Sequence, residues 1–110
     1  MSEAVVPLSQ HLPITITDMT TAQKISHLIQ VVNPADTTIA TGRESVANAC
    51  KELYNLIEQD VYNADKEWML KGMYTDLCCG NFAEPFYCER KKTDFNAIVE
   101  IYNTRVVPFA

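Results

Sequence analysis

The sequence predicts an all-α protein: a small bundle of three to four helices, built on one long central helix at about 42–68, with an extended N-terminal arm. Apolar residues between 43 and 68 recur at steps of three and four and share one arc of roughly 80° on a helical wheel. Three further segments repeat this spacing, and only residues 14–17 alternate like a strand. A length of 110 residues suits a single domain, which we assign to residues 1–110.

The chain begins with a predicted extended arm at 1–17, because Pro7 and Pro13 interrupt its apolar residues. The first helix is predicted at 20–33. Thr20 followed by Gln23 matches a capping box at its start. Asn33 ends it, since the proline that follows steers this residue away from helical backbone angles.

The long helix is predicted to begin with a second capping box, formed by Thr41 and Glu44. Its apolar stripe consists of Val46, Cys50, Leu53, Ile57, Val61, Ala64 and Trp68. Beyond Trp68 the apolar positions turn by about half a revolution. Either the helix breaks near 63–65, with Asp65 capping a separate helix, or it continues and buries opposite faces at its two ends. We favour the break, which gives helices at 42–64 and 65–79, the second ended by Gly80.

The C-terminal part is predicted to hold an irregular segment at 82–92 and a last helix at 94–104. Pro85 and a cluster of aromatic residues favour the irregular segment. Thr93 or Asp94 is expected to cap the last helix, whose apolar residues include Phe95 and Ile98.

The length of the central helix predicts self-association. Residues 43–68 would span about 39 Å at 1.5 Å per residue, whereas a domain of this size has a radius of gyration of about 13 Å. Two short helices would leave part of the stripe uncovered, and exposed apolar surface of that extent normally meets a partner. We therefore expect a homodimer, or a larger oligomer, formed through the stripe. The alternative is a monomer in which 65–79 folds back over it.

A second candidate contact surface lies in the aromatic and basic segment near the C-terminus. Its residues are Phe82, Phe86, Tyr87, Arg90, Lys91 and Lys92. Aromatic rings beside a basic triplet suit either bases and phosphates or a protein interface. The alternative is that the rings close the end of the bundle while the basic side chains lie in solvent.

Catalytic, cofactor and metal sites are not expected. The two histidines, His11 and His27, lie in no recognisable catalytic context, and no glycine-rich phosphate loop is present. Cys78 and Cys79 are adjacent, unlike the spaced cysteine pairs of zinc sites. We expect free, reduced cysteines, with Cys50 and Cys79 in the core.

The composition narrows the function. A net charge of −5 makes nucleic acid an unexpected partner, although an acidic inhibitor that mimics nucleic acid remains an alternative. No apolar run reaches the roughly 18 residues of a membrane span, and no signal peptide is recognised, so we expect a cytoplasmic protein. The sequence favours a non-catalytic protein-interaction module, a self-associating adaptor or inhibitor that contacts another protein. A small-ligand or nucleotide-binding oligomer is the other alternative.

Overall fold

A computed structural model describes residues 19–109, which form four α-helices joined by short connections. The helices are α1 (Thr21–Val32), α2 (Ala40–Asn63), α3 (Glu67–Cys78) and α4 (Pro85–Ile101), followed by a π-helical turn (Tyr102–Val106) and a 3-10 turn (Val107–Phe109). This part of the chain contains no strand, so the predicted all-α class is confirmed. The predicted arm at 1–17 lies outside the described residues.

Helix α1 begins and ends as its sequence predicts. The backbone N–H of Gln23 donates to the Thr20 hydroxyl at 3.1 Å, and the Thr20 N–H donates to the Gln23 side-chain oxygen at 2.8 Å. This capping box satisfies two backbone groups that a helix start leaves unpaired. Asn33 is the C-cap, immediately before the proline.

The start of α2 differs from the prediction. The helix begins at Ala40 after Ile39, and the predicted Thr41 capping box does not form. Gly42 lies in the first turn against the preceding connection, where a Cβ would overlap the Asp36 carbonyl oxygen. The Asp36 carboxylate holds that connection by accepting hydrogen bonds from the Thr38 hydroxyl and N–H, which lower the pKa of the carboxyl group.

The apolar stripe of α2 forms the centre of the core. Val46, Cys50, Leu53, Ile57 and Val61 are all fully buried within the one chain. The expectation that the other helices of the chain leave part of this stripe exposed is therefore wrong. Helices α3 and α1 pack most extensively against α2, so the alternative in which 65–79 folds back over the stripe is the one observed. Helix α4, which starts at Pro85 and not at residue 94, adds further cover.

The predicted break after α2 is confirmed, at Asp65. This residue has a φ of 60°, a left-handed conformation that aspartate tolerates better than most residues. The Lys66 N–H donates to the Val61 carbonyl at 3.0 Å, which closes the turn. Asp65 does not cap the next helix, since Lys66 occupies that position without a side-chain cap. Helix α3 then folds back and buries Met69, Met73 and Leu77.

The segment predicted to be irregular is mostly the first part of α4. The Glu84 side chain accepts a hydrogen bond from the Tyr87 N–H at 2.6 Å, and Pro85 occupies the first helical position, where its missing N–H costs nothing. Gly80 has a φ of 130°, and a Cβ there would overlap the Tyr87 ring. The helix buries Cys88, Lys91, Phe95, Ile98 and Val99.

The π-helical turn after α4 is held to α2 by one hydrogen bond. The Tyr102 hydroxyl, on a buried side chain, donates to Oδ2 of Asp60 at 2.5 Å. Burial, together with this bond, raises the pKa of Tyr102. Val106, at the end of the same turn, is fully buried. The turn therefore extends the cover that α4 provides over α2.

Candidate functional site

The six aromatic and basic residues singled out at 82–92 do not form one surface. Lys91 is buried, and its ammonium group donates to the Asp76 carbonyl oxygen at 2.5 Å and lies 3.6 Å from Oδ2 of Asp94. It also lies 5.3 Å from the centre of the Tyr87 ring and 5.9 Å from that of Phe82. The two aromatic residues and Lys91 thus pack together and join α3 to α4. The Lys91 side chain is not available to a phosphate.

Lys92 is also engaged within the chain. Its ammonium group donates to the Ala35 carbonyl at 2.6 Å and to the Asn33 carbonyl at 3.2 Å, and lies 3.3 Å from the Glu89 carboxylate. The same carboxylate accepts a hydrogen bond from the Thr37 hydroxyl at 2.8 Å. These contacts fasten the α1–α2 connection to α4.

Only Phe86 and Arg90 of the six remain exposed, Phe86 with 71% of its surface accessible. They lie one helical turn apart, a single ring beside a single charge. The predicted contact patch is therefore reduced to two side chains.

The residues expected to mediate self-association divide in a similar way. Val46, Cys50, Leu53, Ile57 and Val61 have no accessible surface, so a second copy cannot contact them. Trp68 was assigned to the same stripe, yet 68% of its surface is exposed. The reason is Asp65, whose left-handed conformation breaks the helical phase and turns Trp68 away from the core.

Trp68 borders an apolar groove of about 210 Å³ between α3 and α4. Buried Met69, Met73 and Ile98 line the groove together with half-buried Ile101. The exposed side chains at its margin are the Trp68 ring and two charged groups, those of Asp76 and Arg105. The arrangement combines a protruding aromatic ring, an apolar lining and charge at the edge, which are the features of protein interfaces.

Gly72 lies in the middle of α3 between Trp68 and Asp76. These three residues are spaced by four positions and so lie along one side of the helix, which we call the outer face of α3. A Cβ at Gly72 would have no neighbouring atom within 4 Å. Packing within the described chain therefore gives no reason for a glycine here, in contrast to Gly42.

Two charged groups lie at the margin of the groove. Among residues 19–109, neither the Asp76 carboxylate nor the Arg105 guanidinium forms a salt bridge. They lie at opposite ends of the groove. The Lys91 ammonium group binds the Asp76 carbonyl, which places the early part of α4 beside the end of α3 that carries Asp76. From there α4 runs back along α3, and Arg105 follows at the other end of the groove. The groove thus has an acidic end and a basic end.

The four cysteines are free thiols. Cys50 and Cys88 are buried, and burial raises the pKa of Cys50 to about 12. The expectation of a core position is confirmed for Cys50 and wrong for Cys79, which is exposed. In the described part of the chain, no three His, Cys, Asp or Glu side chains come together as a metal-binding group.

The outer face of α3 was missed because sequence reasoning followed the apolar pattern through the break. One signal was present: a glycine in a mid-helix position, flanked four residues away by a tryptophan and an aspartate, where none of the three stabilises the helix.

Within residues 19–109, no helix combines the length and the apolar composition needed to cross a membrane. Comparisons of this chain with protein families, with curated proteins and with solved structures found no match.

Proposed function

We propose that this protein is a non-catalytic helical interaction module, an adaptor or inhibitor, which contacts another polypeptide through the outer face of α3 and the groove beside it. The observation that carries the proposal is the exposure of Trp68 on a regular helix next to an apolar groove. Tryptophan is among the residues most enriched at the energetic centres of protein interfaces.

Two local costs on the same face support the proposal. Gly72 in a helix interior is about 1 kcal/mol less favourable than alanine. Asp76 lies in the last turn of α3, where a negative charge opposes the helix dipole. Residues that lower the stability of the isolated chain without an internal benefit are expected at functional surfaces. Here they coincide with the exposed tryptophan.

The proposal is tested with two matched variants, Trp68→Ala and Tyr62→Ala. Both side chains are exposed aromatics, and Tyr62, at 58% exposure near the end of α2, lies outside the groove. The tagged full chain captures partners from a lysate of the source cells, and binding of the recovered partner is then measured directly. We expect Trp68→Ala to weaken binding roughly thirtyfold, which corresponds to about 2 kcal/mol, and Tyr62→Ala to leave it unchanged.

Equal partner recovery by wild-type protein and Trp68→Ala would contradict this assignment. A thermal-shift screen with nucleotides and divalent metals tests the ligand-binding alternative, because a ligand specific to the folded state raises the melting temperature. We expect no shift, and a discrete hit would favour the small-ligand alternative.

A further inference from the structure

We propose that the polypeptide seated on the outer face of α3 is a second copy of this chain, with the two α3 helices antiparallel about a two-fold axis at Gly72. This inference rests on the interaction surface proposed above and names its occupant. It places Asp76 of each copy beside Arg105 of the other. The expected homodimer thus forms through α3 and not through the buried stripe of α2.

The spacing along α3 suits such an axis. Trp68 and Asp76 lie about 6 Å to either side of Gly72 along the helix, at 1.5 Å per residue. A two-fold rotation at Gly72 sets glycine against glycine and tryptophan against the aspartate end of the other copy. The missing side chains allow the two backbones to approach closely, which accounts for a glycine whose added Cβ would meet no atom within 4 Å among the described residues.

The charges at the two ends of the groove are the reason to propose a second copy as the partner, and not an unrelated protein. A two-fold interface uses the same patch on both subunits, so the patch must be complementary to itself. An acidic end and a basic end on either side of the axis meet this condition, because rotation brings Asp76 of one copy to Arg105 of the other. Both groups are exposed and lack an ion pair among residues 19–109.

The apolar contacts are also reciprocal. Each copy supplies one protruding Trp68 ring and one groove lined by Met69, Met73 and Ile98. The dimer would therefore bury two aromatic anchors against two apolar surfaces, with the charged pairs at the rim. This is the usual arrangement of an interface with a central apolar cluster and a polar border.

The first measurement is the mass of the full chain by light scattering at high micromolar concentration. We expect twice the 12.4 kDa monomer mass, and a shift toward monomer for Trp68→Ala but not for Tyr62→Ala. A wild-type chain that stays monomeric overturns the inference, as does a dimer that Trp68→Ala leaves unchanged.

The decisive test reverses one charge at a time. Asp76→Arg and Arg105→Asp should each weaken the dimer roughly tenfold or more, because each places like charges opposite one another. Mixing the two variants should restore association as a heterodimer, since both contacts again join opposite charges. Circular dichroism checks that each variant is folded, as expected for exposed positions. Failure of the mixture to associate overturns the proposed pairing.

The two proposals fail separately. If the chain is monomeric but captures another protein in a Trp68-dependent way, the interaction module stands and the second copy is excluded as its occupant. If neither capture nor self-association depends on Trp68, the interaction surface itself is wrong.

Discussion

The apolar stripe of α2 and the outer face of α3 are both helical surfaces with regular spacing, and they differ in what covers them. The stripe is enclosed by the other helices of its own chain and has no accessible surface between Val46 and Val61. The outer face of α3 exposes Trp68 and Gly72, and no side chain from the described part of the chain covers Gly72. A long apolar pattern therefore marks the core here, and the residues that break the pattern mark the candidate interface.

The largest expected effect is a difference in the free energy of unfolding between a substitution in the α2 stripe and one on the outer face of α3. Leu53→Ala removes a fully buried side chain from the stripe and should lower the free energy of unfolding by about 3 kcal/mol. Trp68→Ala removes an exposed side chain and should change the stability of the monomer by less than about 1 kcal/mol. Urea denaturation at low protein concentration measures both. Equal losses would show that Trp68 belongs to the core and would remove the contrast.

The same substitution at two glycines should have opposite effects. Gly42→Ala should lower the free energy of unfolding by about 2 kcal/mol, because the added Cβ overlaps the Asp36 carbonyl. Gly72→Ala should raise it by up to about 1 kcal/mol, since alanine favours the helix and the added Cβ meets no atom within 4 Å in residues 19–109. Urea denaturation of the two variants under monomeric conditions gives both values.

Self-association of the Gly72→Ala variant gives a second test of this comparison. Gly72→Ala should weaken the proposed dimer although it stabilises the monomer, whereas Asn55→Ala, on the exposed side of α2, should leave self-association unchanged. A Gly72→Ala variant that dimerises like wild type would show that the glycine is not required for close approach.

The smallest expected effect concerns the hydrogen bond between Tyr102 and Asp60, which holds the π-helical turn against α2. Tyr102→Phe removes the hydroxyl bound to Asp60 and should cost about 1 kcal/mol at neutral pH. Because the folded-state pKa of Tyr102 lies above its ordinary value of 10.0, the stabilisation is complete below pH 10 and is lost as the pH rises further.

Urea denaturation across the alkaline range measures this loss, which should be smaller in Tyr102→Phe than in wild type. Cys50 contributes to the alkaline loss in both proteins, since its pKa is raised from 9.0 to about 12. Identical pH profiles for the two proteins would show that Tyr102 does not contribute.

Part of this architecture could be predicted from local sequence. The capping box of α1, the end of that helix at Asn33 and the break after α2 depend on residues within a few positions of one another. The stripe from Val46 to Val61 was also identified, because helical spacing is visible in one segment.

The start of α4 was missed, although the Glu84 cap and the proline at the first helical position are local features. The proline, the aromatic rings and the basic residues of 82–92 resemble a loop. They belong to a helix in which the Lys91 ammonium group lies near the Asp76 carbonyl of α3, the Phe82 ring that precedes α4 and the Tyr87 ring of α4 itself. Lys91 and Lys92 are predicted on a surface that contacts a partner, or alternatively in solvent, whereas the structure uses both to join elements of the chain.

The sequence alone determined that this protein is helical, where α1 begins and ends, that the chain breaks after α2, and which face of α2 is apolar, since these depend on short-range hydrogen bonding and on the helical repeat. Only the tertiary structure decided which apolar residues are covered. A single left-handed residue, Asp65, rotates every side chain of α3 relative to α2, and the cover over α2 comes from residues up to 45 positions away, such as Cys88 beside Arg43. Burial depends on these distant contacts, and so the exposure of Trp68 is a property of the fold.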